Sequence, residues 1–195
     1  MVTEYNSRVH PKKFALWTGC GSITMMFAGL TSAYMVRRAQ GDWVQFKFPE
    51  MFNYSTWVVV LSSIVLVLAY LAYRKQKIVA YRVGLFLTLV LGCLFGYLQY
   101  LGWQDMTNIG VELTGNPSGS FVYLISGIHL AHIAGGLVFM LAMFVKSFFK
   151  KDPVQSLLDS TINPERFLGI ELLSTYWHFV GVLWIYLFFF FQYYR

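Results

Sequence analysis

Four ionisable side chains stand where lipid would be expected. Glu171 and His178 lie in the apolar run 166–194, and His129 and His132 lie in the run 120–149. Such groups are costly in hydrocarbon and turn towards protein or water. Three imidazoles and a carboxylate could ligate haem or a transition metal, since histidines from two helices are a familiar ligand set. The spacing weighs against that chemistry. His129 and His132 are three residues apart with no nearby acid or thiol, and no His-Glu-x-x-His motif occurs. One acid near one end of a run does not make a proton relay across a membrane. There is no Gly-rich phosphate loop, nucleophile elbow or pair of catalytic carboxylates, so no catalytic and no metal-ligating residues are expected. Hydrogen bonding between helices remains. Buried polar groups require partners, and Ser126, Ser174, Thr175 and Tyr176 are at hand to supply them. His129, His132, Glu171, Trp177 and His178 are therefore expected to form an interhelical polar cluster, in which Trp177 with Arg166 also offers a contact for a phospholipid headgroup.

Helical periodicity sets what must position these groups. Offsets of three, four and seven residues nearly complete whole turns, so Glu171, Ser174 or Thr175, and His178 share one face. Seven residues rise about 10 Å, too far for Glu171 and His178 to touch. This stripe predicts a packed helix opposite. Ser126, His129, His132 and Gly136 make a second stripe. His132 and His178 each lie about twelve residues from a run end, a depth that lets them meet near mid-membrane.

The chain reads as all-α, a polytopic membrane protein with a bundle of five transmembrane helices, spanning roughly 14–37, 53–73, 80–103, 120–149 and 166–194, in one domain over 1–195. Of its 195 residues 57% are hydrophobic and 12% charged, and the mean hydropathy is +0.54; no segment is soluble enough for a second domain. The first run is too long for a signal-peptide core and lacks a cleavage site, so it is expected to be retained. Ser22, Gly29 and Ala33 form a small-residue face suited to close packing in the first span, as do Gly92 and Gly96 in the third. Cys20 and Cys93 each sit in mid-run and are expected as packing thiols without a disulfide.

A net charge of +6 reflects topology here, not nucleic acid. Eleven of the fifteen lysines and arginines fall on the side of the N-terminus, of the turn after the second span and of the connection 146–166. By the positive-inside rule the N-terminus is cytoplasmic and the C-terminus periplasmic or external.

The segment Tyr176-Trp177-His178-Phe179-Val180, with Glu171 five residues ahead of it, resembles the Tyr-Trp-His-Phe-Val motif in the last helix of subunit III of haem-copper respiratory oxidases. Gly127-Ile128-His129-Leu130-Ala131-His132 is similar to that family's Gly-x-His-x-x-His helix. The stretch from Phe27 to Tyr34 is similar to the start of the shared bundle, so the resemblance covers nearly the whole chain. Two positions depart from it. Gly181 stands where the family commonly has aspartate, and Ile23 where it commonly has a buried glutamate, so a role depending on that glutamate does not carry over. Longer members have seven helices, and the resemblance implies a short five-helix bacterial form, with another subunit or lipid in place of the two N-terminal helices. It implies an accessory subunit of a proton-pumping terminal oxidase, of cytochrome c oxidase type or, alternatively, a quinol oxidase. Such a subunit sits in the bacterial inner membrane without haem or copper of its own. Its partners would be subunit I as the main contact, subunit II and other oxidase subunits, a larger respiratory supercomplex, and membrane lipids. Bound phospholipid and support of proton uptake and complex stability follow from the same likeness. The rival reading from the residues alone is a small haem- or metal-binding membrane enzyme using His129, His132 and His178.

Overall fold

The structure is a computed structural model and describes residues 10–41, 43–44, 46–114, 116–149 and 167–194. Among these residues there are five helices, each long and apolar enough to cross a membrane: α1 (Pro11–Ala39), α2 (Met51–Arg74), α3 (Ile78–Asn108), α4 (Pro117–Phe148) and α5 (Leu168–Tyr194). A helix satisfies its backbone polar groups within itself, which is why apolar runs of this length become helices in lipid.

Helix ends reach beyond the apolar runs because capping chemistry, not hydropathy, sets them. α1 starts at Pro11, where the His10 imidazole accepts from the Lys12 backbone N–H at 3.2 Å. α4 starts at Pro117, capped by Asn116, whose carbonyl oxygen accepts from the Ser118 N–H at 2.9 Å. α3 runs five residues past the apolar limit at 103, to Asn108. It is closed by Gly110 at φ +78, with Val111 N–H bonding the Met106 carbonyl and Gly110 N–H that of Thr107, both at 3.0 Å. This is a Schellman stop, and its left-handed position favours glycine. The α2–α3 turn has the same two bonds, Lys77 to Ala72 and Gln76 to Tyr73, but places Gln76 at φ +58.

α2 and α3 form the tightest pair. A Cβ on Gly84 would lie 2.6 Å from the Ala69 Cβ, so the two backbones meet there without side chains between them. α5 is the hub: α2 and α4 pack on it, and α1 packs on α4 and α5. Its buried side carries Leu173, Trp177, Val180, Trp184, Leu187 and Phe191. α1 and α2 barely touch and flank the other side of α5 like the arms of a V.

The small-residue face expected in α1 is not used inside the chain. Phe27, Thr31 and Tyr34 are its buried residues, whereas Ser22, Gly29 and Ala33 are exposed and a Cβ on Gly29 would meet nothing. Bulky aromatics on the opposite face bury more area against α4 and α5, which decides the orientation. In α3 only Gly92 behaves as expected of the pair. A Cβ there would lie 2.6 Å from Leu137 Cδ2 and 2.8 Å from Trp177 Cη2, whereas Gly96 has ordinary space, 3.6 Å from Leu130. Cys20 and Cys93 are both free.

Candidate functional site

The helix interfaces are joined by one recurring device. A hydroxyl donates to a carbonyl one turn back in its own helix and accepts an N–H from a neighbouring helix. Ser62 donates to the Val59 carbonyl at 2.8 Å and accepts the Trp177 indole N–H at 3.0 Å. Thr56 donates to Phe52 at 2.8 Å and accepts from Trp184 at 3.0 Å. Ser55 likewise donates to Phe52 and accepts the Gln99 amide, and Ser126 donates to Val122 and accepts the Trp103 indole. Each hydroxyl oxygen is filled from both sides in a low-dielectric interior, whereas Oε1 of Gln99 is buried without a hydrogen-bond partner among the described residues.

Trp177 is therefore a structural anchor of the α2–α5 interface. It is 1% exposed with its only polar atom bonded to Ser62, leaving no edge for a lipid headgroup. Arg166, its expected companion, lies outside the described residues.

His129 is fully buried in an aromatic box. Its ring stacks on Trp184 with centroids 5.4 Å apart, and Phe27 and Phe95 meet it in T-shaped contacts with centroids 6.1 Å away; neither ring nitrogen has a hydrogen-bond partner among the described residues. His132 is half-buried beside Phe27. Its Nδ1 lies 2.8 Å from the Ile128 carbonyl, which can only accept, so Nδ1 carries the proton and Nε2 is the acceptor. Tyr176 of α5 reaches this region and donates to the His132 carbonyl at 3.0 Å. His178 stands two residues, about 200° of helical rotation, from Tyr176. It lies with Val59, Ser63 and Val67 along a groove on α2. His132 and His178 thus occupy different sides of α5 and do not meet.

Glu171 pairs with Lys13 across α1 and α5 at 2.5 Å, both side chains about one-third exposed or slightly more. Sequence reasoning missed Lys13 because the ion pair joins the first and last helices. It also missed the α2 hydroxyls, although Ser55, Thr56 and Ser62 are spaced much as Trp184 and Trp177 are, which is the pattern two antiparallel helices need.

The polar stripe of α5 is accordingly split. Glu171, Thr175, His178, Val182 and Ile185 follow one line along the helix, and no described helix of this chain lies opposite it. It forms the floor of the V between α1 and α2, with Val182 65% exposed on its ridge. Near Glu171 the V holds a recess of about 370 Å³ lined also by Lys13, Trp17, Tyr70 and Ser174.

These positions do not suit haem or a resident metal. His129 is walled by rings, His132 lies against the same Phe27 ring of α1 and His178 faces α2, so the three imidazoles do not gather at one point. Among the described residues no group of three or more His, Cys, Asp or Glu side chains gathers. The arrangement holds helices together and presents one face outward.

Residues 46–195 match the family model of cytochrome c oxidase subunit III. A probable cytochrome c oxidase subunit 3 of Nocardia farcinica is 29% identical over 171 residues, covering 84% of this chain and 78% of the relative. Its counterpart in Mycobacterium tuberculosis is 28% identical over 198 residues, covering 95% and 92%. A probable quinol oxidase subunit 3 of Staphylococcus saprophyticus is 22% identical over 181 residues, covering 90% and 85%. Five described helices long and apolar enough to span a membrane, joined by a polar network, and a match over three-quarters of the chain's length agree: the chain belongs to the cytochrome c oxidase subunit III family, a membrane subunit of a terminal oxidase complex.

Proposed function

We propose that this chain is the accessory subunit III of a proton-pumping haem-copper oxidase that reduces oxygen to water, packed on the catalytic subunit I in a bacterial plasma membrane. The observation that carries the reading is the family match over 46–195, joined to a polar network whose hydroxyls are already filled by indole and amide donors. Haem and copper reside in the partner subunits. The chain contributes binding surface, bound phospholipid at its margins and support of proton uptake. The basic residues Lys12, Lys13, Arg74, Lys75, Lys77 and Lys146 cluster at one end of the bundle, which supports a cytoplasmic N-terminus and attraction of anionic headgroups there.

The test is isolation of the complex through a tag on this chain, with an optical spectrum, metal analysis and mass spectrometry. Haem and copper travelling with a larger second subunit are expected. Recovery of the chain alone, or of haem bound to it alone, would overturn the proposal. The likeness to a quinol oxidase subunit favours a second reading in which quinol is the donor. Oxygen uptake by the same complex with reduced cytochrome c against quinol separates the two.

A further inference from the structure

We infer that α1 is jointed at 18–24, and that its first two turns, 11–17, form a strap that swings on this joint. The Lys13–Glu171 ion pair latches the strap over the recess beside Glu171. The inference goes beyond the accessory role proposed above and stands on the geometry of this chain alone.

The two halves of α1 are held in different ways. From Phe27 onwards the helix is locked. Phe27 meets the His129 and His132 rings with centroids 6.1 and 5.9 Å away, and Thr31 bonds the Tyr186 hydroxyl at 3.2 Å. Tyr34 donates to the Tyr194 carbonyl at 3.2 Å and is buried against Trp43, Phe121 and Phe190. Before Phe27 no residue of α1 is buried; Lys13, Leu16, Cys20 and Ile23 are half-buried and the others exposed. Among the described residues, Lys13–Glu171 is the one hydrogen bond or ion pair that joins this half to another helix.

The sequence between strap and locked half is suited to bending. Gly19 and Gly21 have open space where a Cβ would stand, so packing does not require glycine at either position, and each weakens the helix relative to alanine. Thr18, Ser22 and Thr24 turn their hydroxyls back onto the carbonyls of Phe14, Thr18 and Cys20, at 3.0, 3.1 and 2.9 Å. Back-bonding of this kind bends helices, and kinks gather at Gly/Ser pairs such as Gly21-Ser22. Two glycines and three such hydroxyls thus fall within one stretch of about two turns.

The strap roofs a recess of about 370 Å³. Lys13, Leu16 and Trp17 face Tyr70 of α2 and Glu171, Leu172, Ser174 and Thr175 of α5 across it. Both partners of the ion pair are about one-third exposed or slightly more, so water and salt reach them, and an ion pair so placed holds weakly. A weak tie at the end of a bendable stem can open while the rest of the helix stays docked. Pro11 to Gly21 spans about 15 Å, and a bend of about 20° at the joint moves the start of the helix by about 5 Å. That displacement uncovers the recess.

The experiment measures distances by double electron–electron resonance in the full chain, carrying Cys20→Ala and Cys93→Ala, in lipid nanodiscs. Nitroxides on Phe14→Cys and Leu71→Cys report the strap, and Val36→Cys with Trp57→Cys report the other ends of the same two helices; all four side chains are exposed. Glu171→Gln is expected to lengthen the Phe14–Leu71 distance by about 5 Å, and raised salt to do so in part. Lys13→Glu combined with Glu171→Lys should restore the original distance. Gly19→Ala with Gly21→Ala, added to Glu171→Gln, should remove most of the shift by stiffening the joint. The Val36–Trp57 distance should stay fixed throughout, which also shows that the variants remain folded. Equal shifts at both ends would mean that α1 undocks as a rigid rod. An unmoved Phe14–Leu71 distance in Glu171→Gln would mean that the pair is no latch, and either result overturns the inference.

Discussion

Two glycines show how differently one residue type is used. Gly92 sits where any side chain would collide with Trp177, whose ring is fixed by its bond to Ser62 and cannot swing away. Gly92→Ala is expected to destabilise the bundle by about 1–3 kcal/mol, the usual range for overpacking a filled core. Gly181→Ala meets only ordinary contacts and gains the higher helix propensity of alanine, so it should leave the thermal midpoint of the isolated chain unchanged or raise it. Thermal unfolding in one detergent separates the pair, and similar losses in both would refute the distinction. The special status of Gly92 was visible in the sequence only as a four-residue spacing shared with Gly96. Which of the two meets a neighbour depends on the rotation of α3, and that is set by large residues on other helices. His129 was legible as a polar residue at depth, but its aromatic surroundings come from α1, α3 and α5, a conjunction that no local pattern announces.

At the scale of helices, hydropathy located all five spans and cap residues corrected their ends. Pro11, Asn116 and Gly110 are the signals, read through backbone bonds and not through apolar content. The facing of α5 was the harder matter. Glu171, Thr175 and His178 mark a line, yet periodicity alone is silent on whether the line faces this chain or another. The answer lies in α2, where hydroxyls match the tryptophans on the opposite side of α5 and draw that side inward. Ser62→Ala should therefore cost about 1–3 kcal/mol, because the Trp177 N–H is left buried without an acceptor. The measurement is the unfolding midpoint of the purified chain, with Trp177→Phe in the Ser62→Ala background expected to recover part of the loss. No recovery would assign the effect to the cavity instead of the orphaned donor.

For the molecule as a whole, the charge asymmetry predicts that the α2–α3 turn is cytoplasmic and the α3–α4 connection external. In a chain with Cys20→Ser and Cys93→Ser, an impermeant thiol reagent added to whole cells should label Glu112→Cys and not Lys75→Cys; the reverse pattern would invert the topology.

One feature of α1 bears on how such a bundle is made. Its ties to α5 join Thr31 with Tyr186 and Tyr34 with Tyr194, at sequence separations of 155 and 160 residues. At a synthesis rate of about 5–20 residues per second, roughly eight to thirty seconds pass between the emergence of α1 and that of its partner. The α2–α3 hairpin can close within the nascent chain, and α4 offers α1 a first seat, while the Tyr34 hydroxyl waits for the Tyr194 carbonyl and Thr31 holds the Phe27 carbonyl of its own helix. The first helix made thus completes its docking only when the last arrives, and biogenesis of the subunit has its most vulnerable interval before α5 emerges.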